Sequence, residues 1–266
     1  MKRSWWQCAC VVLGGMAILN APVMADEVQH ELSVGLGLGG VIAPDYRGSG
    51  EYQRTISPIP YFVYTGRFFK ADRDGMRSDL FQGESFEINF SASATLTPES
   101  HRTPRRDGMP SLYSTLELGP ALNINLTGER INDGWMLSLP LRGVVAISAN
   151  PEWVGWAVSP QVVRRWRNEE RTLTFRTGPY FADQSYHRYY YQVESQYARE
   201  DRPTFDVGAG YSGWSSQLVF SQRRGDWWFG IYGRYENLSG AVFEKSPLLE
   251  TKHVFNVGGG ISRIFF

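Results

Sequence analysis

The chain has 266 residues, with 27 Lys and Arg balanced by 27 Asp and Glu for a formal net charge of zero. That balance excludes the basic footprint of a general nucleic-acid binder and gives no electrostatic pull toward an anionic surface. Both cysteines, Cys8 and Cys10, lie near the start, so the rest of the chain offers neither a disulfide framework nor a thiolate metal site.

Taken in order, the first residues read as a targeting segment. Lys2 and Arg3 form a positive start, residues 8–19 an apolar run, and Val23-Met24-Ala25 a small-residue cleavage pattern. The run falls short of the roughly 20 apolar residues that cross a bilayer as a helix. Residues 1–25 are therefore expected to be a signal peptide cut between Ala25 and Asp26, leaving 26–266 as the exported part.

From Glu31 onward, alternation with period two dominates and no helical stripe stands out. Leu32, Val34, Leu36 and Leu38 alternate with Ser33, Gly35, Gly37 and Gly39. The pattern returns at Phe86, Ile88 and Phe90 against Glu87 and Asn89, and at Leu116, Leu118, Leu122 and Ile124 against Glu117 and Asn123. It continues at Trp135, Leu137, Leu139 and Leu141, and at Trp227, Phe229 and Ile231 against Gly230, Arg234 and Glu236. Short polar turns fall at 65–67, 82–84, 168–170 and 224–226, and longer connections at 42–54, 97–111, 182–213 and 238–251. Segments of about ten residues joined alternately by short and long connections are what a transmembrane barrel requires. The expectation is an all-β, closed antiparallel transmembrane β-barrel of about 12 strands, or ten if the segments near 68–81 fail. Short turns would lie in the periplasm and long loops outside.

The final strand ends with Ile264 and Phe266 after Phe255, Val257 and Ile261. A terminal aromatic closing an alternating strand resembles the signal read by the barrel-assembly machinery of outer membranes. Its two apolar sets differ in parity, which predicts a bulge near Gly258-Gly259-Gly260. An open sheet edge in hydrocarbon costs several kcal/mol per unpaired group, so the last strand should pair with the first. Glu87, Glu117, Arg142, Arg234 and Glu236 should then point inward, and charges of both signs there favour a partly filled interior. Trp135, Trp153, Trp156, Trp166, Trp214 and Trp227 sit where interfacial girdles form.

The loops carry further motifs. These are Pro44-Asp45-Tyr46-Arg47-Gly48, Pro58-Ile59-Pro60-Tyr61, Gly66-Arg67-Phe68-Phe69 and Tyr189-Tyr190-Tyr191-Gln192-Val193 with Ala198. Arg234-Tyr235-Glu236-Asn237-Leu238-Ser239-Gly240-Ala241-Val242 and Ser246-Pro247-Leu248 complete the set. In this order and along nearly the whole exported part, the chain resembles the MipA/OmpV family. The resemblance implies an outer-membrane barrel. For the family's namesake it implies a non-catalytic scaffold joining a lytic transglycosylase to a peptidoglycan synthase. Other members look like porins or surface adhesins, so a passive channel or adhesin stands as the alternative. Partners implied are outer-membrane lipid and lipopolysaccharide, the assembly machinery, and a murein hydrolase and synthase.

Read as chemistry, Pro44 and Gly48 shape a turn, whereas Pro58 and Pro60 remove two donors and predict a locally unpaired stretch or a bulge near the rim. Ser246-Pro247 should direct the chain back into the last strand. The cluster Tyr186 to Tyr191, with His187 and Arg188, either binds sugar or lipopolysaccharide phosphate or packs down as a lid, the reading we favour. His30, His101, His187 and His253 are scattered and expected to be solvated, as is the basic run from His101 to Arg106, for which contact with lipopolysaccharide phosphates is the sharper alternative. With no nucleophile-and-base spacing and no metal-ligand spacing, neither enzyme nor cofactor is expected. A lipid-modifying enzyme, resting only on His187 near Glu194, Asp201 and Asp206, is the minority alternative. Gly35-Leu36-Gly37-Leu38-Gly39-Gly40 mimics a phosphate-binding run but has no helix after it.

Overall fold

Alternation along each segment, with β-branched and aromatic residues on one face and small or polar ones on the other, builds strands that pair only as neighbours. The computed structural model describes residues 31–65, 70–72, 75–83, 85–95, 103–127 and 134–265. Ala25, Asp26, Phe266 and the motif at 66–69 lie outside the described residues. The strands are β1 (Glu31–Pro44), β2 (Tyr52–Thr65), β3 (Lys70–Asp72), β4 (Gly75–Gln82), β5 (Phe86–Thr95), β6 (Thr115–Asn125) and β7 (Gly134–Ala146). They continue with β8 (Glu152–Val158), β9 (Gln161–Arg167), β10 (Arg171–Ala182), β11 (Gly210–Arg224), β12 (Trp227–Asn237) and β13 (His253–Ile264). One helix, α1 (Gln184–Tyr191), lies between β10 and β11.

Every pairing is antiparallel. The succession runs from β1 through β2 and onward to β13, and β13 pairs back with β1, Gly35 opposite Ile264 and Ile42 opposite Val257. The expected partnership of last and first strands is present. Thirteen strands occur among the described residues rather than about twelve. The extra one arises because β8 and β9 lie end to end against a single strand: residues 141–146 of β7 face β8 and residues 134–138 face β9. Pro160, which has no N–H to give the ladder, sits in the break between them.

Period two sorts the side chains as expected. Leu36, Leu38, Ile42, Phe86, Phe90, Leu118, Ile231 and Phe229 are exposed on the outer face. So are all six girdle tryptophans. Glu87, Glu117, Arg142, Arg234 and Glu236 line an interior cavity of about 910 Å³. The glycine tract of β1 is wall, not a phosphate cradle: a Cβ at Gly37 would stand 2.0 Å from the Ile261 carbonyl oxygen.

One local expectation is overturned and another is met on one edge only. The registers of β13 with β12 and with β1 run unbroken through Gly258-Gly259-Gly260, so no bulge lies there. The parity change is absorbed by direction instead. Phe255, Val257 and Ile261 are exposed, Ile264 is buried on the opposite side, and Phe265 continues the outer set. At Pro58 and Pro60 the ladder with β1 is equally unbroken, opposite Leu38 and Leu36, and both prolines sit within the strand rather than at a rim. Among the described residues the other edge of β2 meets β3 at Tyr64 and Thr65 alone, so the expected unpaired stretch lies there. A proline suits such an edge because it leaves no N–H to pair. There the Pro58 carbonyl accepts from Ser57 Oγ at 3.2 Å.

Candidate functional site

The long connections gather at one end of the strands and fold over the cavity. Asp183 starts α1 by accepting the Tyr186 N–H on Oδ1 at 2.9 Å, the N-cap geometry that satisfies an otherwise orphaned donor. The wall makes room for it. Gly155 of β8 has a φ of +147°, and a Cβ there would stand 2.2 Å from Asp183 Oδ1. The helix is the element missed by period-two reading. It is only eight residues long and rich in Tyr, a middling helix former, so it carries no stripe long enough to be read.

Tyr186, His187, Tyr190 and Tyr191 are buried, which makes the tyrosine cluster a lid. Tyr191 stacks on Phe243 with ring centroids 3.6 Å apart and planes 6° from parallel. Its hydroxyl donates to the Arg47 carbonyl at 2.8 Å, and its own carbonyl accepts from Ser246 Oγ at 2.7 Å. Tyr46 donates to the Leu248 carbonyl at 2.6 Å. Burial raises the pKa of both Tyr46 and Tyr191 far above the usual phenol range, so both stay protonated donors.

Arg47 ties this lid to the wall. Its Nε stands 3.2 Å from Glu236 of β12, its terminal nitrogens donate to the side chain and carbonyl of Ser212 at 3.1 and 2.9 Å, and its guanidinium lies 4.8 Å from the Tyr180 ring centre. Burial works against a charge there, but the Glu236 carboxylate together with the phenols of Tyr191, Tyr186 and Tyr180 outweighs it and holds Arg47 above its ordinary range.

Several motif residues thus converge. Pro44, Tyr46, Gly48, Tyr190, Tyr191, Val193, Leu238, Ser246 and Leu248 are buried in or beside the lid. Val193 bridges to Phe205, and Gly48, at φ +92°, passes against Leu249 and Leu238. Half-buried Pro247 follows Ser246, whose tie to Tyr191 gives this pair a locking role beyond redirecting the chain. Other motif residues stay apart. Tyr235 faces outward beside His253 and Phe255, Ser239 is exposed, and Pro58 and Pro60 lie on β2.

Two residues expected to be solvated are not. His187 is fully buried, donates from Nδ1 to the Gly208 carbonyl at 2.8 Å, and packs against Phe243. Burial pushes its pKa below the usual imidazole value, so it is neutral near pH 7. Arg106 is buried and donates to the Tyr190 carbonyl at 2.9 Å. His101 and Arg102 lie outside the described residues. Of the loop carboxylates, Asp201 pairs with Arg105 and Arg199, and Asp206 with Arg188. Among the described residues no group of three or more His, Cys, Asp or Glu is arranged to hold a metal. Asp183, Ser212 and Phe243 carry the lid without having been singled out for it, and Arg47 stood only within the motif at 44–48. Of the first three, Asp183 alone, as an N-cap residue, had a local signal.

Beneath the lid the cavity is polar and largely self-paired. Glu87 accepts from Asn89 and Asn123 at 3.1 and 2.9 Å, and Arg142 reaches Glu117 at 3.5 Å and Ser91 at 3.3 Å. Such an interior can hold a polar solute or simply fill itself.

The model of one protein family, MltA-interacting protein MipA, matches residues 36–265. None of the curated proteins matches the chain. Among solved structures, the chain is similar to the CymD monoaromatic hydrocarbon channel, with 10% identity, 88% of each chain covered and a TM-score of 0.39. A porin is 8% identical over 89% of this chain and 100% of its own, at a TM-score of 0.32. The outer membrane protein OprG from Pseudomonas aeruginosa is 9% identical over 88% and 92%, at 0.25. Likeness at these scores leaves the architecture to be read from the strand pairings themselves. With the family match spanning nearly all of the chain, this protein belongs to the MipA family.

Proposed function

We propose that this chain is a closed outer-membrane β-barrel, sealed at its outer mouth, that serves as a non-catalytic scaffold for peptidoglycan-remodelling enzymes. Support for the barrel comes from the pairing of β13 with β1, which covers the edges that the chain's two end strands would otherwise expose to lipid, and from the apolar outer face. The observation that carries the functional reading is the lid. A barrel whose loop end is locked by Arg47 to Glu236 and stacked through Tyr191 and Phe243 presents its turn end as the free face. In this reading the turn end looks into the periplasm, where a lytic transglycosylase and a peptidoglycan synthase would be joined. The family's own description, an MltA-interacting protein, fits such a partner.

Affinity capture with the full chain from outer-membrane extract should retain a lytic transglycosylase together with a synthase. Failure to retain either at native expression overturns the scaffold. The polar cavity favours a second reading, a passive channel. Planar-bilayer recording separates them, because a sealed barrel gives no discrete conductance steps.

A further inference from the structure

The inner face of β9 to β12 differs from the rest of the cavity. Register places Arg176 opposite Gln217, Gln217 opposite Arg234, and Arg234 opposite Asn256, one rung reading Arg, Gln, Arg, Asn across four strands. Two strand spacings separate the arginines, about 10 Å. Arg165, opposite Thr174, adds a third guanidinium one inward position nearer the turn end. All three line the cavity.

The carboxylates lining that cavity are engaged elsewhere: Glu87 by Asn89 and Asn123, Glu117 by Arg142, Glu236 by Arg47 and Asp45 by Thr103. Arg234 has no ion pair among the described residues, its rung neighbours are neutral amides, and its Nε is buried without a partner. A guanidinium flanked by neutral amides, with one buried N–H unpaired, is a ready partner for an oxyanion, whose charge-assisted hydrogen bonds are stronger than those of neutral acceptors.

On the same strand, below Arg234, lie two aromatic cavity residues. The Trp228 ring lies flat across Gly230, where a Cβ would stand 2.4 Å from it, and the Tyr232 ring lies across Gly258 at 2.6 Å. The glycines let both planes sink against the wall instead of filling the interior. The indole Nε1–H is buried without an acceptor. At about 910 Å³ the cavity has the capacity of a small-molecule site, roughly 300–1,000 Å³.

We infer that the cavity is a binding site for a small organic anion with a planar apolar body, its carboxylate or phosphate on Arg234 between Gln217 and Asn256 and its body against Tyr232 and Trp228. The site stands whether or not the barrel carries enzymes on its periplasmic face.

Titration calorimetry on the full chain in detergent tests it with phenyl phosphate, benzoate, inorganic phosphate and neutral benzyl alcohol. Phenyl phosphate and benzoate should bind, and benzyl alcohol at least about tenfold more weakly. Arg234→Gln should weaken both aromatic anions by about tenfold or more, and Trp228→Leu should weaken them while sparing inorganic phosphate. Because Arg234→Gln changes a wall residue, Gln217→Glu serves as a second variant: it sets a carboxylate beside Arg234 and should abolish anion binding while the guanidinium remains. Absence of heat with every anion, equal binding of benzyl alcohol, or unchanged affinity in both Arg234→Gln and Gln217→Glu overturns the assignment.

Discussion

The wall and the lid are held by different kinds of interaction. In the wall, the strands repeat one arrangement: apolar outward, small or polar inward, and ladder bonds to a neighbour on each side, short around β3 among the described residues. No single side chain is decisive, because the next rung does the same work. The lid has no repeat. Arg47 meets Glu236 across 189 positions of sequence, Tyr46 meets Leu248 across 202, and Ser246 meets Tyr191 across 55. Redundancy makes a wall tolerant, and its absence makes a lid dependent on a few contacts. Stability is thus distributed unevenly between the two regions.

That comparison can be broken most directly at Arg47. Arg47→Ala leaves Glu236, 4% exposed, without its cation, and losing one partner of a buried pair costs about 3–5 kcal/mol. Urea unfolding of the purified protein should show this loss in the lid, with the wall transition unchanged. Arg47→Ala with Glu236→Gln should recover part of it. A single substitution in the wall should matter only when it changes what lipid sees. Leu38→Arg places a charge on the outer face at about 2–4 kcal/mol if it lies near mid-bilayer, whereas Leu38→Val should be nearly silent. The fraction folded into lipid vesicles measures both, and equal yields would show that this face does not meet hydrocarbon.

A smaller effect is expected at the start of α1. Asp183→Ala removes the N-cap and should cost about 1 kcal/mol, read as faster protease nicking between 184 and 209. The smallest effect concerns pH. His187 is buried with its folded pKa below the ordinary 6.5, with Arg47 opposing its protonation and Asp183 favouring it. The unfolded chain therefore takes up a proton first as pH falls. The stabilisation is complete above about 6.5 and is lost below it, at about 1.4 kcal/mol per unit of pKa difference. Protease sensitivity of the lid should rise between about pH 7.5 and 5.5, a range set by the imidazole value, and His187→Phe should flatten that rise.

How much was legible follows the same division. The inward placing of Glu87, Glu117, Arg142, Arg234 and Glu236, and the exposure of Trp135, Trp153, Trp156, Trp166, Trp214 and Trp227, could be read because a strand turns its side chains by half a revolution per residue. The bulge expected at Gly258-Gly259-Gly260 failed because both apolar sets were assigned to one face, while Ile264 turns inward. Pro160 was invisible as a strand break because nothing local tells a proline between two strands from one inside a turn. Arg106 and His187, taken for solvated residues, are buried by segments far away in sequence that cover them.

By itself, then, the sequence determined the alternating wall, the sides on which its charges and tryptophans lie, and the family to which the chain is similar. Local periodicity carries that information, and it needs no knowledge of distant partners. Only the tertiary structure decided that the tyrosine segment folds into a helical lid, that Arg47 fastens it to Glu236, and that Arg234 faces the cavity with two flat aromatic rings below it. Each of these depends on which strands stand side by side, and that arrangement is settled by pairing across the sheet rather than by any run of neighbouring residues.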